Sequence, residues 1–506
     1  MPTANSFLLG VNPAGASLTA LTTFLLITFA ICGLQLWPEI KNRKFFSFFT
    51  VPGIIILIGL GLSAWQIFVV NKPLIIPQSI AWAIATEAFK NWRLFLIGVG
   101  PTSFFDAFSQ LRPASYNLTN FWGIRFTLSS NYYFQLLSTI GVVGLLSFLW
   151  LIFKTVKSQM KEMNLALAVP IFLIFVVLLF VFPNFLLLFT LFVLLGLLFA
   201  SEKDSSEYAE NSKIAPWILF GAVVLIMLGS YYLIGRAYIG EIYFKKSLIA
   251  IQKNEGTNAY NLQIKALKFN PVNDVYRLYY SQTNFALAYS LAQKSNISDQ
   301  DRENITNLVQ QAIREAKLAV SLNKNKVVNW ENLANIYRQL LNFAQGAEEW
   351  TISSLNQAIN LDPVNPNLRL TLGGVYYALG NFDEAIRFFQ QAIEVKPNFA
   401  NGYYNLSAAY REKGDFKKAH EAMQITLNLV NPNSDDYNKA KGELEDLAKK
   451  ASAKEASQSA QVQKEENPQQ EPLVEPQPMP SPVITPPIEL PAQSAPDISP
   501  APSATQ

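Results

Sequence analysis

Two residue types are almost missing from this 506-residue chain, which holds one cysteine, Cys32, and one histidine, His420. No disulfide framework, zinc cluster or Cys/His catalytic pair can be built from them within one chain. Any chemistry must use Arg, Lys, Asp, Glu, Tyr, Ser or backbone groups, and neither a metal nor a cofactor is expected. Charge is scarce too, at 15% of residues against roughly 25% in an ordinary soluble domain. Residues 1–240 carry 14 Lys/Arg and 8 Asp/Glu, whereas the remainder carries 26 and 29. A sparse, slightly basic half is therefore joined to a charge-richer, slightly acidic one. Neither concentrates Lys and Arg as a nucleic-acid binder does, so no nucleic-acid partner is expected.

What fills the first half is apolar sequence. A helix crossing a hydrocarbon core of about 30 Å needs roughly 20 apolar residues. Residues 18–37, 50–70, 132–153 and 216–235 qualify. Residues 165–201 carry no charge over a length too great for one crossing, and Pro183-Asn184 in the middle signals a turn. Two more spans, 165–182 and 185–201, are expected there, giving six in a membrane domain over residues 1–240. Lys41, Arg43 and Lys44, then Lys154, Lys157 and Lys161, then Lys203 and Lys213 fall in alternate loops, which places those loops in the cytoplasm. The loop 71–131 and everything after Gly235 are then extracytoplasmic, in a multi-pass protein of the cell membrane. The N-terminus also falls outside. Either the first span inserts as a hairpin with the second or further spans precede Met1.

From about residue 241 to 450 the pattern changes to repeats. Leu372, Gly373, Tyr376, Gly380, Ala385, Phe389, Ala392 and Pro397 recur 34 residues later as Leu406, Ser407, Tyr410, Gly414, Ala419, Met423, Thr426 and Asn431, the last followed by Pro432. A 34-residue helix–turn–helix unit of this spacing is the tetratricopeptide pattern. Small residues at 373, 385 and 392 let two helices approach, Tyr376 and Phe389 fill the gap, and Gly380 ends the first helix. Upstream units close at Pro363 and Pro271, with a third, 275–323, whose turn is enlarged around residues 294–303. Residues 436–450 supply a capping helix. The concave stripe of such a solenoid would present Glu331, Asn335, Arg338, Asn367, Leu370, Tyr377, Asn401, Tyr404 and Arg411. It reads either as a groove for a protein or glycan or as an ordinary solvated face. His420 reads as a surface or packing residue. Residues 451–506 hold 12 of the 28 prolines among Gln, Glu and Ser, and are expected to be disordered. The fold class is all-α: a polytopic transmembrane bundle, a helical-repeat solenoid and a Pro-rich tail.

The loop 71–131 is where chemistry would sit. Ser79–Trp92 reads as an amphipathic helix with Ile80, Ala83, Ile84, Ala88 and Phe89 on its apolar face and Trp82 and Trp92 suited to an interface. Leu96–Pro101 (LIGVGP), Phe104–Phe108, Gln110–Pro113, Trp122–Arg125 and Ser129–Tyr133 follow, leading into Leu136–Gly144. In order and spacing, Ser79–Phe153 resembles the bacterial O-antigen ligase and polymerase-like membrane family, in which a tetratricopeptide solenoid also occurs after the last span.

The resemblance implies metal-independent, inverting transfer of a glycan from a polyprenyl-diphosphate carrier to an acceptor at the outer face of the membrane. Arg112 and Arg125 match the family's loop arginines, with Arg93 a poorer match, and arginines can hold a diphosphate bidentately. Gly98 and Gly100 would turn backbone N–H groups toward phosphate, and Asn131 would join the substrate site. The family's loop histidine is Ser130 here, so Asp106 or Glu87 would have to act as the base. The family also has about twice as many spans. Plainer roles fit the same residues: interfacial anchoring for the arginines, a solvated carboxylate for Asp106, a helix N-cap for Asn131. Asn117-Leu-Thr119 matches a glycosylation triplet and carries no weight. The alternative to an enzyme is a non-catalytic, membrane-anchored scaffold binding envelope proteins through the solenoid.

Overall fold

The computed structural model describes residues 18–41, 50–65, 69, 75–101, 104–161, 164–183, 185–200 and 215–465, and among these every regular element is a helix. Arg43, Lys44, Lys203 and Lys213 of the expected cytoplasmic loops, Asn184 of the expected turn and the proline-rich tail lie outside the described residues. A compact unit spans residues 1–449 and a second spans 450–506.

The first two helices are α1 (Leu18–Lys41) and α2 (Thr50–Trp65). The loop then folds as α3 (Gln78–Glu87), a 3-10 turn (Ala88–Lys90), α4 (Trp92–Ile97), α5 (Phe104–Leu111) and a second 3-10 turn (Ala114–Leu118). The expected helix over 79–92 is thus interrupted, because the Asn91 side chain caps a new one by accepting from the N–H groups of Arg93 and Leu94. Ile80, Ala81, Ile84, Phe104, Phe108, Tyr116 and Phe126 close a small aromatic core beneath it.

Next come α6 (Tyr132–Thr139), α7 (Gly141–Lys161), α8 (Leu165–Val177) and α9 (Phe185–Ala200). The expected span 132–153 is therefore two helices, broken where Gly141 takes φ +74°. Ile27, Phe148, Ile171, Phe175, Leu191 and Leu195 pack α1, α7, α8 and α9 into one apolar cluster. Only part of the six-span expectation is met. Among the described residues Gly141–Met160 and Trp217–Gln252 are long and apolar enough to cross a membrane. Thr22–Trp37, Thr50–Trp65, Leu165–Val177 and Phe185–Ala200 are apolar but shorter. A 16-residue helix is about 24 Å long and a 13-residue one about 20 Å, short of a 30 Å core.

The longest helix, α10 (Ala215–Gln252), runs without a break through the expected boundary at residue 240. Its first half is apolar and uncovered, while its last turns pack Phe244 against Ala266 and Tyr276 of the following helices. The solenoid continues with α11 (Gly256–Phe269), α12 (Asp274–Ala292), α13 (Asp299–Leu322), α14 (Val327–Gln339) and α15 (Ala347–Leu361). It ends with α16 (Pro366–Ala378), α17 (Phe382–Val395), α18 (Ala400–Glu412), α19 (Phe416–Leu429) and α20 (Asp435–Glu465). In the 275–323 unit the turn grows to six residues, 293–298, and the helices lengthen as well, to 19 and 24 residues. The small-residue argument holds at atomic scale. A Cβ on Gly373 would lie 2.6 Å from the Phe389 ring, and Ala385 and Ala392 are fully buried. Gly380 and Gly414 take φ +77° and +78°, and Asn381 and Asp415 then cap the next helices.

Candidate functional site

Residues of α5 and the segment after it reach the solenoid along one edge, the row of turns that joins each helix pair to the next. Asp362 and Lys396 end α15 and α17, where each backbone N–H closes the final helical turn on Ala358 and Ala392. Their side chains project from the same position of consecutive repeats, and both are buried.

Arg112, at the end of α5, places Nη2 2.8 Å from Asp362 Oδ1. Arg125 donates to Asp362 Oδ2 from Nη2 at 2.8 Å and Nε at 3.1 Å, and grips Glu331 of α14 from both terminal nitrogens at 2.9 and 2.6 Å. Forked geometry of this kind gives direction as well as strength. Asp362 is fully buried and Arg112 is 4% exposed. Burial pushes the Asp362 carboxyl upward in pKa, against the opposing pull of Arg125 and Arg112. Burial pushes Arg125 down, but Glu331 and then Asp362 outweigh it, and its pKa stands above the ordinary value. For Arg112 burial dominates over Asp362 and lowers the pKa. The Arg112 guanidinium also lies over the Phe108 and Tyr116 rings, 5.1 and 5.9 Å from their centroids, with Nε and Nη1 buried and without a hydrogen-bond partner.

A second set of contacts lies one repeat further. The Asn117 side chain donates to the backbone carbonyls of Val364 and Val395 at 2.7 and 2.8 Å, so one carboxamide ties two consecutive turns. In return Lys396 Nζ donates to the Asn117 carbonyl at 2.8 Å and lies 4.5 Å from the Trp122 ring centre, beside a Trp122–Phe399 edge contact. Burial lowers the Lys396 pKa. Phe105 packs on Val327, Ala358 and Leu368.

The other loop candidates are placed differently. Gly98 (φ +65°) and Gly141 (φ +74°) face each other's backbone. A Cβ on Gly98 would lie 2.3 Å from Thr139 C, and one on Gly141 2.5 Å from Leu96 C. The N–H groups expected to face phosphate are occupied: Gly98 donates to Leu94, Val99 to Ser138 and Gly100 to Thr139. Asn131 is the N-cap of α6, its Oδ1 accepting from the Phe134 N–H and its Nδ2 donating to Gln78. Arg93 is exposed, Asp106 is buried on α5, and Glu87 pairs with Lys90. Arg112 and Arg125 thus meet on Asp362, Asp106 lies earlier on α5, and Arg93, Gly98, Gly100 and Asn131 are placed elsewhere.

Along the concave stripe, Asn335 and Arg338 are exposed and bonded to each other at 2.9 Å, and Asn367 and Asn401 are exposed. Glu331 is taken by Arg125. Tyr377 and Arg411 are half-buried, and Tyr404 donates to Glu443 of the capping helix α20 at 2.8 Å, with Arg411 3.8 Å from the same carboxylate. The sequence reading missed Asp362, Lys396 and Asn117. A faint signal existed for the first two, since Asp362 and Lys396 precede prolines 363 and 397 just as Asn270 precedes Pro271.

Residues 373–414 match the family model described as a TPR repeat. The chain is 31% identical over 72 residues to a probable UDP-N-acetylglucosamine–peptide N-acetylglucosaminyltransferase SEC of Arabidopsis thaliana. It is 37% identical over 67 residues to an uncharacterized protein, ycf37, of Pyropia yezoensis. These stretches are 14% and 13% of this chain, which spans only 7% and 38% of those relatives. Among solved structures, MamA aligns at 22% identity over 38% of this chain and 91% of its own, with a TM-score of 0.31. A thermophilic TPR protein of Thermus thermophilus aligns at 21% over 40% and 98%, with a TM-score of 0.29. An all-helical chain with 34-residue periodicity, glycine-terminated helices and this match carries a tetratricopeptide repeat at residues 373–414.

Proposed function

We propose that this chain is a membrane-anchored tetratricopeptide scaffold of the cell envelope, its loop 71–131 and solenoid lying outside the cytoplasm and its concave stripe offered to a protein partner. The observation that carries this reading is the engagement of Arg112 and Arg125 by Asp362 and Glu331. Those two guanidinium groups would have to hold a diphosphate in a glycan-transfer enzyme, and here they hold the loop to the solenoid. The Gly98, Val99 and Gly100 backbone donors are likewise committed, to Leu94, Ser138 and Thr139. Tetratricopeptide repeats commonly bind peptides or proteins, and Asn335, Arg338, Asn367 and Asn401 remain exposed for such a contact. Uncovered apolar helices supply the membrane anchor.

The glycan-ligase reading keeps one foothold, the two unpartnered nitrogens of buried Arg112. The two readings separate in one assay: membranes carrying the full chain, supplied with a labelled polyprenyl-diphosphate glycan, are followed for lipid diphosphate. A scaffold releases none. Release by the wild type that disappears in Arg112→Ala, with helicity unchanged, would overturn the scaffold and establish transfer.

A further inference from the structure

Where α10 leaves its apolar stretch, it forms an open groove with α11. From Trp217 to Gly235 the helix bears no charge and its side chains are uncovered. At 1.5 Å per residue this stretch is about 27 Å long, close to a hydrocarbon core. The first charge is Arg236. Tyr232, Arg236 and Ile239 lie on one face at helical spacing, and with Tyr231, Lys268 and Phe269 they line a groove of about 540 Å³. The Arg236 guanidinium lies 5.9 Å from the Tyr232 ring centre, and its one hydrogen bond is a long one, 3.5 Å, to the Lys268 carbonyl. Lys265, one turn before Lys268, sits 5.8 Å over the Tyr243 ring, which stacks on Phe269. No carboxylate lines the groove, and Glu241, five residues beyond Arg236, accepts from the Tyr276 hydroxyl at 2.8 Å.

We propose that this groove binds the phosphate headgroup of an anionic phospholipid, its acyl chains lying along the apolar face of α10. Charge complementarity supports the headgroup, because two cations share a concavity that contains no anion. Continuity with the uncovered helix favours a lipid over free phosphate, since a groove at the end of a membrane-length apolar surface meets headgroups wherever that helix is inserted. Tyrosines beside the cations suit the same depth, having an apolar body and a polar tip. The proposal rests on the membrane-anchored reading above and adds the lipid class and its residues.

The test uses the full chain reconstituted in bilayers of equimolar phosphatidylcholine and phosphatidylglycerol, extracted gently and weighed intact for retained lipid. Wild type should retain phosphatidylglycerol in preference by roughly 5- to 30-fold, because each basic group at an anionic surface is worth about a factor of five. Arg236→Gln with Lys268→Gln should bring the ratio to parity at unchanged helicity, and Arg236→Lys should keep most of it. Parity in the wild type, or a preference that survives the double substitution, overturns the proposal. So does a preference erased by millimolar inorganic phosphate, which would make this a free-anion site. A chain stripped from the bilayer by alkaline carbonate overturns the anchoring itself, a failure distinct from loss of lipid preference.

Discussion

Asp362 sits fully buried between two guanidinium groups, so neutralising it strands charge that has already been taken out of water. Breaking a buried ion pair by removing one partner costs about 3–5 kcal/mol. Asp362→Asn should therefore lower the unfolding free energy measured by denaturant titration by that much, with the lower end expected because the Arg125 side chain keeps 20% of its surface in solvent and Glu331 as second partner. Replacing Arg112, Arg125 and Asp362 together by apolar residues of similar size should cost far less, and a large loss there would show that the cluster stabilises through its charges. Asn117→Ala leaves the Val364 and Val395 carbonyls without this donor, at about 1–3 kcal/mol. Asp301 supplies a pH dependence. Its carboxylate accepts from Lys294 and from Ser298 in the α13 capping box, which lowers its pKa to about 2. A depressed acid stabilises the fold above its unfolded pKa, about 4, and the contribution is lost as pH falls toward 2. In Ser298→Ala the acid limb of the helicity profile should shift upward, since one of the groups holding the carboxylate ionised is gone.

Glycines with positive φ sit at several element boundaries, and two of them, Gly98 after α4 and Gly141 at the start of α7, also bring backbones into contact. Gly98 and Gly141 have positive φ and each faces the other's neighbouring peptide groups at distances no side chain tolerates. Gly98→Ala and Gly141→Ala should each cost several kcal/mol, combining left-handed strain of about 1–3 kcal/mol with a clash that separates α4 from the α6–α7 break. Gly123→Ala, whose Cβ would meet nothing within 4 Å, should be nearly neutral under the same thermal scan. The solenoid helices were legible in sequence because their signals are local: a 34-residue period, small residues at fixed offsets, and glycine then Asn or Asp at the turns 380–381 and 414–415. The span at 132–153 was not, because hydropathy registers how apolar a stretch is and not that Gly141 reverses it. The boundary expected at residue 240 falls inside α10, whose apolar half and repeat half differ in composition while no residue between them breaks the helix.

At the scale of the molecule, loop and solenoid share one buried contact region, so their local openings should be coupled. In Asp362→Asn, hydrogen exchange should accelerate together in residues 104–126 and in the turns near 362 and 396, while α20 keeps its protection. Acceleration confined to the loop would show that the solenoid edge holds its shape without it. α10 adds a mechanical consequence. A continuous helix leading from the apolar stretch into the Phe244–Tyr276 packing fixes the first repeat to that stretch, with Gly240 close against Ala266, Asn270 and Tyr276. A triple-glycine insertion after Gly240 should leave the solenoid's unfolding free energy within about 1 kcal/mol while increasing solenoid mobility relative to the apolar half of α10, read by spin-label mobility at residue 343.

Taken by itself, the amino-acid order determined that this chain is helical, that its apolar runs end near residue 235, that a tetratricopeptide pattern follows, and that one cysteine and one histidine cannot build a disulfide framework or a Cys/His zinc cluster within one chain. Each of these depends on residues a few positions apart, and helical packing reads out such spacing directly. The partners of Arg112 and Arg125 were decided only by the tertiary structure. Arg125 and Asp362 are 237 residues apart, and nothing local marks one for the other. An arginine in a loop suits a diphosphate and a carboxylate equally well, because both are anions with paired oxygens. Which one it meets depends on the desolvated surface that folding brings to it, here the edge of a solenoid that begins more than a hundred residues downstream.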